Sequence, residues 1–337
     1  MKPTDFANHL TEFLSMYLPR QKNASKNTIA SYRDTFKLLI RYCQEQRGIP
    51  VEKLNMGMLT HGLIADFLEW IEKERKCSIA TRNQRLAAIH SFFRYAQYEE
   101  PTGILHFQKV IALPVKKAPK PIVAHLTPEA MKLLLSQPDK MTVKGRRDLT
   151  LLSVLYDSGC RVQELVDIKV RDVVLSNPAV LILTGKGNKV RRVPLMKNTL
   201  TLLENYIQEN FLDKPWRSDY PLFSNKQHKK LTKEGVAYII SKYADLARQI
   251  STIVPEKVKP HMFRHSKSMH LLQAGVSLIY IRDFLGHEDI KTTEIYAKCD
   301  SELKRQAIEN AYPDLVDSNL PDWSKDAALL DWLSKLK

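Results

Sequence analysis

The chain has 337 residues, with 52 lysines and arginines against 37 aspartates and glutamates, for a formal net charge of +15. That length suits two domains, each large enough for its own core, and that charge favours a polyanionic partner, nucleic acid before membrane surface. No apolar run approaches the ~20 residues of a membrane span, nothing at the N-terminus resembles a signal peptide, and the scattered Cys43, Cys77, Cys160 and Cys299 form neither a disulfide framework nor a zinc site. The expected compartment is the cytoplasm.

From Asp5 to about Ala112 the pattern is helical. Phe6, Leu10, Phe13 and Leu14 make a first stripe. Thr28 opens a second helix through Tyr32, Phe36, Leu39, Ile40 and Cys43. Thr60 caps a third through Ile64, Phe67, Leu68 and Ile71. Thr81 leads a fourth, whose apolar face is Leu86, Ile89, Phe92, Phe93 and Ala96, and Arg82 and Arg85 are expected on its opposite, solvated side. Residues 1–112 therefore read as an all-α bundle. Residues 113–124 follow as a basic linker rich in proline and lysine, with Lys116, Lys117 and Lys120.

A second domain is expected over residues 125–312. Thr127-Pro128-Glu129 is a helix start, with a cap, a proline at the first helical position and an acid in the first turn. A leucine-rich helix from Arg146 to Asp157 ends at Gly159, which places Arg161 at the junction into Val162–Leu165. The run Val180–Leu183, the glycine-containing loop Gly185–Lys189 and the strand Val190–Leu195 predict a hairpin with Lys186 at its tip. Helices follow at Thr199 to Phe211 and Thr232 to Ile250.

The stretch from Lys259 to Lys298 carries His261, Arg264, His287 and Tyr296. Lys259-Pro260 precedes a helix bearing His261 and Arg264, three apart and so on one face. Ser277 caps a second helix closed by Gly286, with His287 just past its end, and Tyr296 lies on a third short segment. His261 and His265 are spaced like zinc-protease ligands, but Met262 stands where that motif needs glutamate, so no metal is expected. Read singly, His265 is structural.

With these pieces in order, the chain resembles the tyrosine recombinase (phage integrase) family. His261-x-x-Arg264, Leu285-Gly286-His287 and Thr293-x-Ile295-Tyr296 resemble its second arginine box, its penultimate histidine and its nucleophile. Gly159-Cys160-Arg161 through Leu165 resembles the first arginine box, and Thr184 to Lys189 the hairpin of the catalytic lysine. The pair Lys267-Ser268 departs from the small or hydroxyl residues more common there. The resemblance implies a mostly α fold with a small β-hairpin: an N-terminal SAM-like core-binding bundle that clamps double-stranded DNA, and a C-terminal catalytic domain. It also implies chemistry without a cofactor. Tyr296 would attack DNA phosphorus to give a 3′-phosphotyrosyl intermediate on the way to a Holliday junction. Arg161, Arg264 and His287 would hold the phosphate, with His261 as base and Lys186 as acid. Glu164 would orient His261 or Arg161.

Arg82, Arg85, Lys116, Lys117, Lys120 and Lys189 are the candidate DNA contacts. Because the bundle begins near residue 1, the implied role is that of a simpler recombinase serving integration, excision or transposition of a mobile element. A silent DNA-binding protein and a type IB topoisomerase-like relaxing enzyme are the alternatives. Residues 300–337 carry a net charge of −3, and residues 313–337 form an amphipathic tail with Trp323 and Trp332. Its apolar face must be covered, either by its own chain or by a neighbour in a tetramer on DNA.

Overall fold

The computed structural model describes residues 2–118, 123–225, 227–287, 293–296 and 327–335, with the side chains of Lys186, Ala327, Leu329 and Leu330 excepted. The chain divides into two compact units, Met1–Pro121 and Ile122–Lys337, a break that falls inside the predicted linker. It is mostly helical, with one small antiparallel sheet among the described residues.

The first unit is a helical bundle. Its helices are α1 (Asp5–Glu12, continuing as a wider π-helical segment Phe13–Gln21), α2 (Lys26–Arg47), α3 (His61–Lys73), α4 (Ile79–Glu99) and α5 (Ile104–Ile111). The predicted stripes converge in one aromatic core, where Phe13, Phe36 and Phe92 are wholly buried and pack edge to face. Two helix starts differ from the reading of the sequence. The caps are Ser25 and Ser78, three residues before Thr28 and Thr81. In each Ser-x-x-Thr the first hydroxyl accepts the amide of the second residue, and the two hydroxyls bond each other at 2.9 and 3.0 Å. Either hydroxyl could cap, and the sequence alone did not rank them.

Arg82 and Arg85 require a correction, because neither stands on a solvated face. Arg82 is buried, its guanidinium donating to the Pro114 carbonyl at 2.9 Å and lying 3.8 Å from Glu72. Arg85 turns onto α2, donating to the Ser31 carbonyl and the Thr35 hydroxyl, both at 3.0 Å. The predicted linker is also shorter than it reads. Leu113 is buried in the core, and the Asn83 side-chain amide donates to the Lys116 carbonyl (2.7 Å) while accepting from its backbone N–H (3.1 Å). Lys116 reaches Glu72 at 2.7 Å. Lys117 is exposed, and Lys120 lies outside the described residues.

The second unit comprises α6 (Pro128–Leu135), α7 (Val143–Ser158), α8 (Val162–Asp167), β1 (Val173–Val174), β2 (Val180–Thr184), β3 (Val190–Pro194), α9 (Lys197–Glu209), α10 (Lys233–Ile250), α11 (Pro260–Gln273) and α12 (Leu278–Leu285). A helical segment at 293–296 and α13 (Ala327–Lys335) follow. The strands run β1-β2-β3, with Leu181 opposite Val193 and Leu183 opposite Arg191. Leu181, Leu183 and Val193 face inward, as the alternation of a half-buried hairpin requires. β1 was not anticipated, since two residues are too few to show a period. Asp300 and Asp322, where the sequence predicts the starts of one further helix and of the tail helix, lie outside the described residues. In α13, Trp332 and Leu333 are 58% and 48% exposed.

Candidate active site

Each predicted motif sits at the end of an element, which fixes its backbone. Gly159 closes α7 in the left-handed region (φ 55°), where L side chains are disfavoured. The chain then turns at Arg161, the N-cap of α8. Glu164, one turn on, accepts the Arg161 backbone N–H and its guanidinium, both at 2.9 Å. Proline at the first position of α11 starts the helix that carries His261, Arg264 and His265. Lys186 stands in the short 3-10 turn between β2 and β3, its side chain outside the described residues, and Lys189 on the same hairpin is exposed.

Arg264 is 4% exposed. It donates to the Gly159 carbonyl and to the Leu285 carbonyl, each at 2.7 Å. One guanidinium thus ties together the turn that presents Arg161 and the turn that presents His287. Burial first, then the charges of Arg161 and Arg191, lower its pKa to about 10, so it remains a cation at neutral pH. His287 bonds the Thr293 hydroxyl through Nδ1 at 2.9 Å. Burial and the neighbouring Arg264, Arg161 and Arg191 bring its pKa down to about 4, so its imidazole is neutral and able to donate a hydrogen bond.

Tyr296 is 1% exposed, packed with Met269, Ile281 and Leu285. Its hydroxyl lies 2.9 Å from Nδ1 of His265. Burial raises the pKa of the phenol, while the Ser268 hydroxyl, Arg264 and Arg161 act to lower it. His265 is itself held to about 4, by burial and then by His261 and Arg264, so its imidazole is neutral at pH 7. His261 is exposed, one turn N-terminal, with its ring centroid 6.4 Å from that of His265.

The charges of Arg161 and Arg264 thus reach both His287 and Tyr296, with His261 at the edge. Among the described residues, no group of three histidines, cysteines or acids could hold a metal ion, and no helix is long and apolar enough to cross a membrane.

Residues 124–302 match the Phage integrase family, and residues 10–100 match the phage integrase N-terminal SAM-like domain. The chain belongs to the tyrosine recombinases of the phage integrase family. It is 36% identical over 314 residues to "Putative integrase/recombinase y4rC" of Sinorhizobium fredii, covering 93% of each chain. It is 30% identical over 292 residues to tyrosine recombinase XerD of Listeria monocytogenes, covering 86% of this chain and 93% of the other. In fold it is similar to the Tn1549 transposon integrase bound to circular intermediate DNA (TM-score 0.70, 17% identity, 89% of this chain and 98% of that one). It is also similar to the XerH site-specific recombinase bound to difH (TM-score 0.66, 22% identity, 88% and 83%).

Two residues of this recombinase site escaped the reading of the sequence. His265, structural when read singly, is the histidine on the Tyr296 hydroxyl. A heptad-like count from His261 would not have found it, because the bond depends on where residues 293–296 dock. Arg191 was passed over as a strand residue, although it grips Glu164 with both Nη atoms, at 3.1 and 2.7 Å. The alternation of β3 does point Arg191 to the same side as Val193, which is buried, and an arginine in such a place needs a partner. Glu164 accordingly serves Arg161 and Arg191, and no bond joins it to His261 among the described residues. The unusual Lys267 is absorbed by packing. It lies 3.2 Å from Asp157 and over the Tyr156 ring, behind the site. Ser268 is buried, its hydroxyl on the Arg264 carbonyl at 2.7 Å.

Proposed function

We propose that this recombinase breaks and rejoins double-stranded DNA at specific sites through a covalent link on Tyr296, serving the integration, excision or transposition of a mobile element. The carrying observation is a phenol placed beside a buried arginine whose own position is fixed by two backbone carbonyls. A phosphodiester gains negative charge as it becomes pentacoordinate, and two guanidiniums and a neutral imidazole N–H are suited to receive it. In this mechanism Arg161, Arg264 and His287 hold the non-bridging oxygens. The Tyr296 oxygen attacks phosphorus, forming the O–P bond as the bond to the 5′-oxygen breaks. The phenol proton passes to a histidine, and Lys186 protonates the departing 5′-oxygen. The new link keeps the bond energy, so a second 5′-hydroxyl reverses the step without ATP.

His261 and His265, one turn apart on α11, divide the work. With its hydroxyl on His265 and its ring bedded among Met269, Ile281 and Leu285, Tyr296 has to advance to attack phosphorus, so the arrangement around it is a resting one, and the His265 bond helps to keep it. His261, exposed one turn away, takes the proton once the phenol has advanced. The relatives named as integrase or XerD recombinase support this class of reaction, as does the transposon integrase complex.

The partners in this account are duplex DNA and further copies of the chain, as a tetramer whose C-terminal helix docks on a neighbour. The exposed Trp332 and Leu333 support that docking. Incubation with a nicked suicide DNA substrate tests the whole reading. Wild type should accumulate a covalent protein–DNA complex and Tyr296→Phe none. A DNA-binding protein would give no complex in either case, and a topoisomerase-like enzyme would give one without site preference.

A further inference from the structure

The Glu164 carboxylate, 4% exposed, sits between two arginines that face different surroundings. Arg161 is 36% exposed in its side chain and gives Glu164 a single guanidinium bond, from Nη1. Arg191 is 12% exposed, gives both Nη atoms to Glu164, and donates from Nε to the Phe284 carbonyl at 3.2 Å. Space is left for this arrangement on both sides. A Cβ at Gly286 would come within 3.0 Å of the Arg191 side chain, and one at Gly185 within 3.1 Å of a Glu164 oxygen. Arg191 is thus held by three elements: its own strand β3, Glu164 on α8, and the end of α12.

We infer that Arg191 is a positioning residue whose charge neutralises Glu164, so that the guanidinium of Arg161 is left with net positive charge for the scissile phosphate. Glu164 has to be anionic to orient Arg161 through its backbone and side chain, yet that same charge would cancel the cation it orients. A second arginine, 12% exposed and bound through Nε and both Nη atoms, resolves the conflict. Arg161, Glu164 and Arg191 together carry +1; without Arg191 the remaining pair carries none. Glu164 would then close fully onto Arg161, in the bidentate geometry such pairs favour, and compete with the phosphate. The Nε bond to the Phe284 carbonyl keeps Arg191 in register with the turn that presents His287.

This inference rests on the recombinase reading above, and the experiment separates the two. Covalent-complex formation on the suicide substrate is measured under single-turnover conditions for wild type, Tyr296→Phe, Arg191→Met, Arg191→Lys and the double variant Arg191→Met/Glu164→Gln, with melting temperatures recorded for each. If wild type forms no complex, the recombinase reading fails. Given wild-type activity, Arg191→Met should fall by ~10², the scale of losing one charged donor. The double variant should recover at least ~10-fold over Arg191→Met, because removing the stranded negative charge frees Arg161. A double variant no faster than a folded Arg191→Met overturns the inference. Should Arg191→Met not fold, Arg191→Lys decides: it keeps the charge and loses the fork, so it should stay within ~10-fold of wild type. A ~10²-fold loss in folded Arg191→Lys overturns it as well.

Discussion

His265 Nδ1 lies 2.9 Å from the Tyr296 hydroxyl, so the proposed nucleophile is paired with a histidine other than the His261 of the His261-x-x-Arg264 motif. The bond holds a phenol that is otherwise bedded among Met269, Ile281 and Leu285. Removing it should free the ring. A single hydrogen bond contributes about 1 kcal/mol, which shifts a resting equilibrium roughly 5-fold. In His265→Ala, Tyr296 should therefore react faster with a tyrosine-nitrating reagent, read by peptide mass spectrometry against the 82% exposed Tyr98. Cleavage in this variant should stay within ~10-fold of wild type, whereas His261→Ala should lose ~10²-fold or more, the usual contribution of a general base. Equal losses would refute the division of labour.

The same burial gives a pH dependence whose sign is fixed. His265 and His287 are held to about 4, against an ordinary value of 6.5. In the unfolded chain both take up protons below pH 6.5, while the folded chain resists until about 4. Stability from these groups is complete above pH 6.5 and drains away as pH falls towards 4. The effect is on the order of 1–2 kcal/mol per histidine between pH 7.5 and 5. Glu164, where burial is outweighed by the Arg191 fork and by the backbone and side-chain bonds of Arg161, which bring the carboxyl to about 2, contributes only below this window. The melting temperature should drop from pH 7.5 to pH 5, and by less in His265→Asn; equal drops in the two proteins would contradict the account.

Arg82 and Asn83 fasten residues 114–116 to the N-terminal bundle. Asn83→Ala removes both halves of the amide pairing, and Arg82→Ala leaves the Pro114 carbonyl without its donor. Either variant should speed proteolytic cutting at Lys116 and Lys117 several-fold, and Arg82→Ala should also lower the melting temperature of the bundle. Neither should change the slope of DNA affinity against salt by the full unit that a lost phosphate contact produces. A full unit lost in Arg82→Ala would restore that arginine to the DNA surface.

The exposed Trp332 and Leu333 predict a tail that matters between copies of the chain. Deleting residues 322–337 should leave the melting temperature within about 2 °C, since surface changes contribute within ±0.5 kcal/mol, while the higher-order complexes formed on DNA disappear. Normal assembly of the truncated protein would remove the tail from the account.

Much of this was legible in the sequence for a physical reason. The helices of the bundle carry apolar stripes at 3.6-residue spacing, Arg161 and His287 follow the helix-ending Gly159 and Gly286, and Arg264 lies one turn after the helix-starting Pro260. What was not legible depends on contacts distant in sequence. Arg82 and Arg85 fall on the polar side of their own helix, and only the docking of residues 114–116 and of α2 turns that side inward. His265 and Arg191 acquire their partners 31 and 27 residues away, across turns that no local period records. The helix starts at Ser25 and Ser78 were missed by three residues because two hydroxyls competed for one cap.

The central claim is that a phenol oxygen, helped by fixed cations, forms the bond to DNA phosphorus. Its most direct measurement is to trap the protein on a nicked recombination site in the presence of EDTA, digest the complex, and locate the nucleotide-bearing peptide by mass spectrometry. The account predicts a 3′-phosphate ester on Tyr296 with no loss of yield in the chelator. A link to another side chain, or a complex that forms only when a divalent metal is restored, would contradict it.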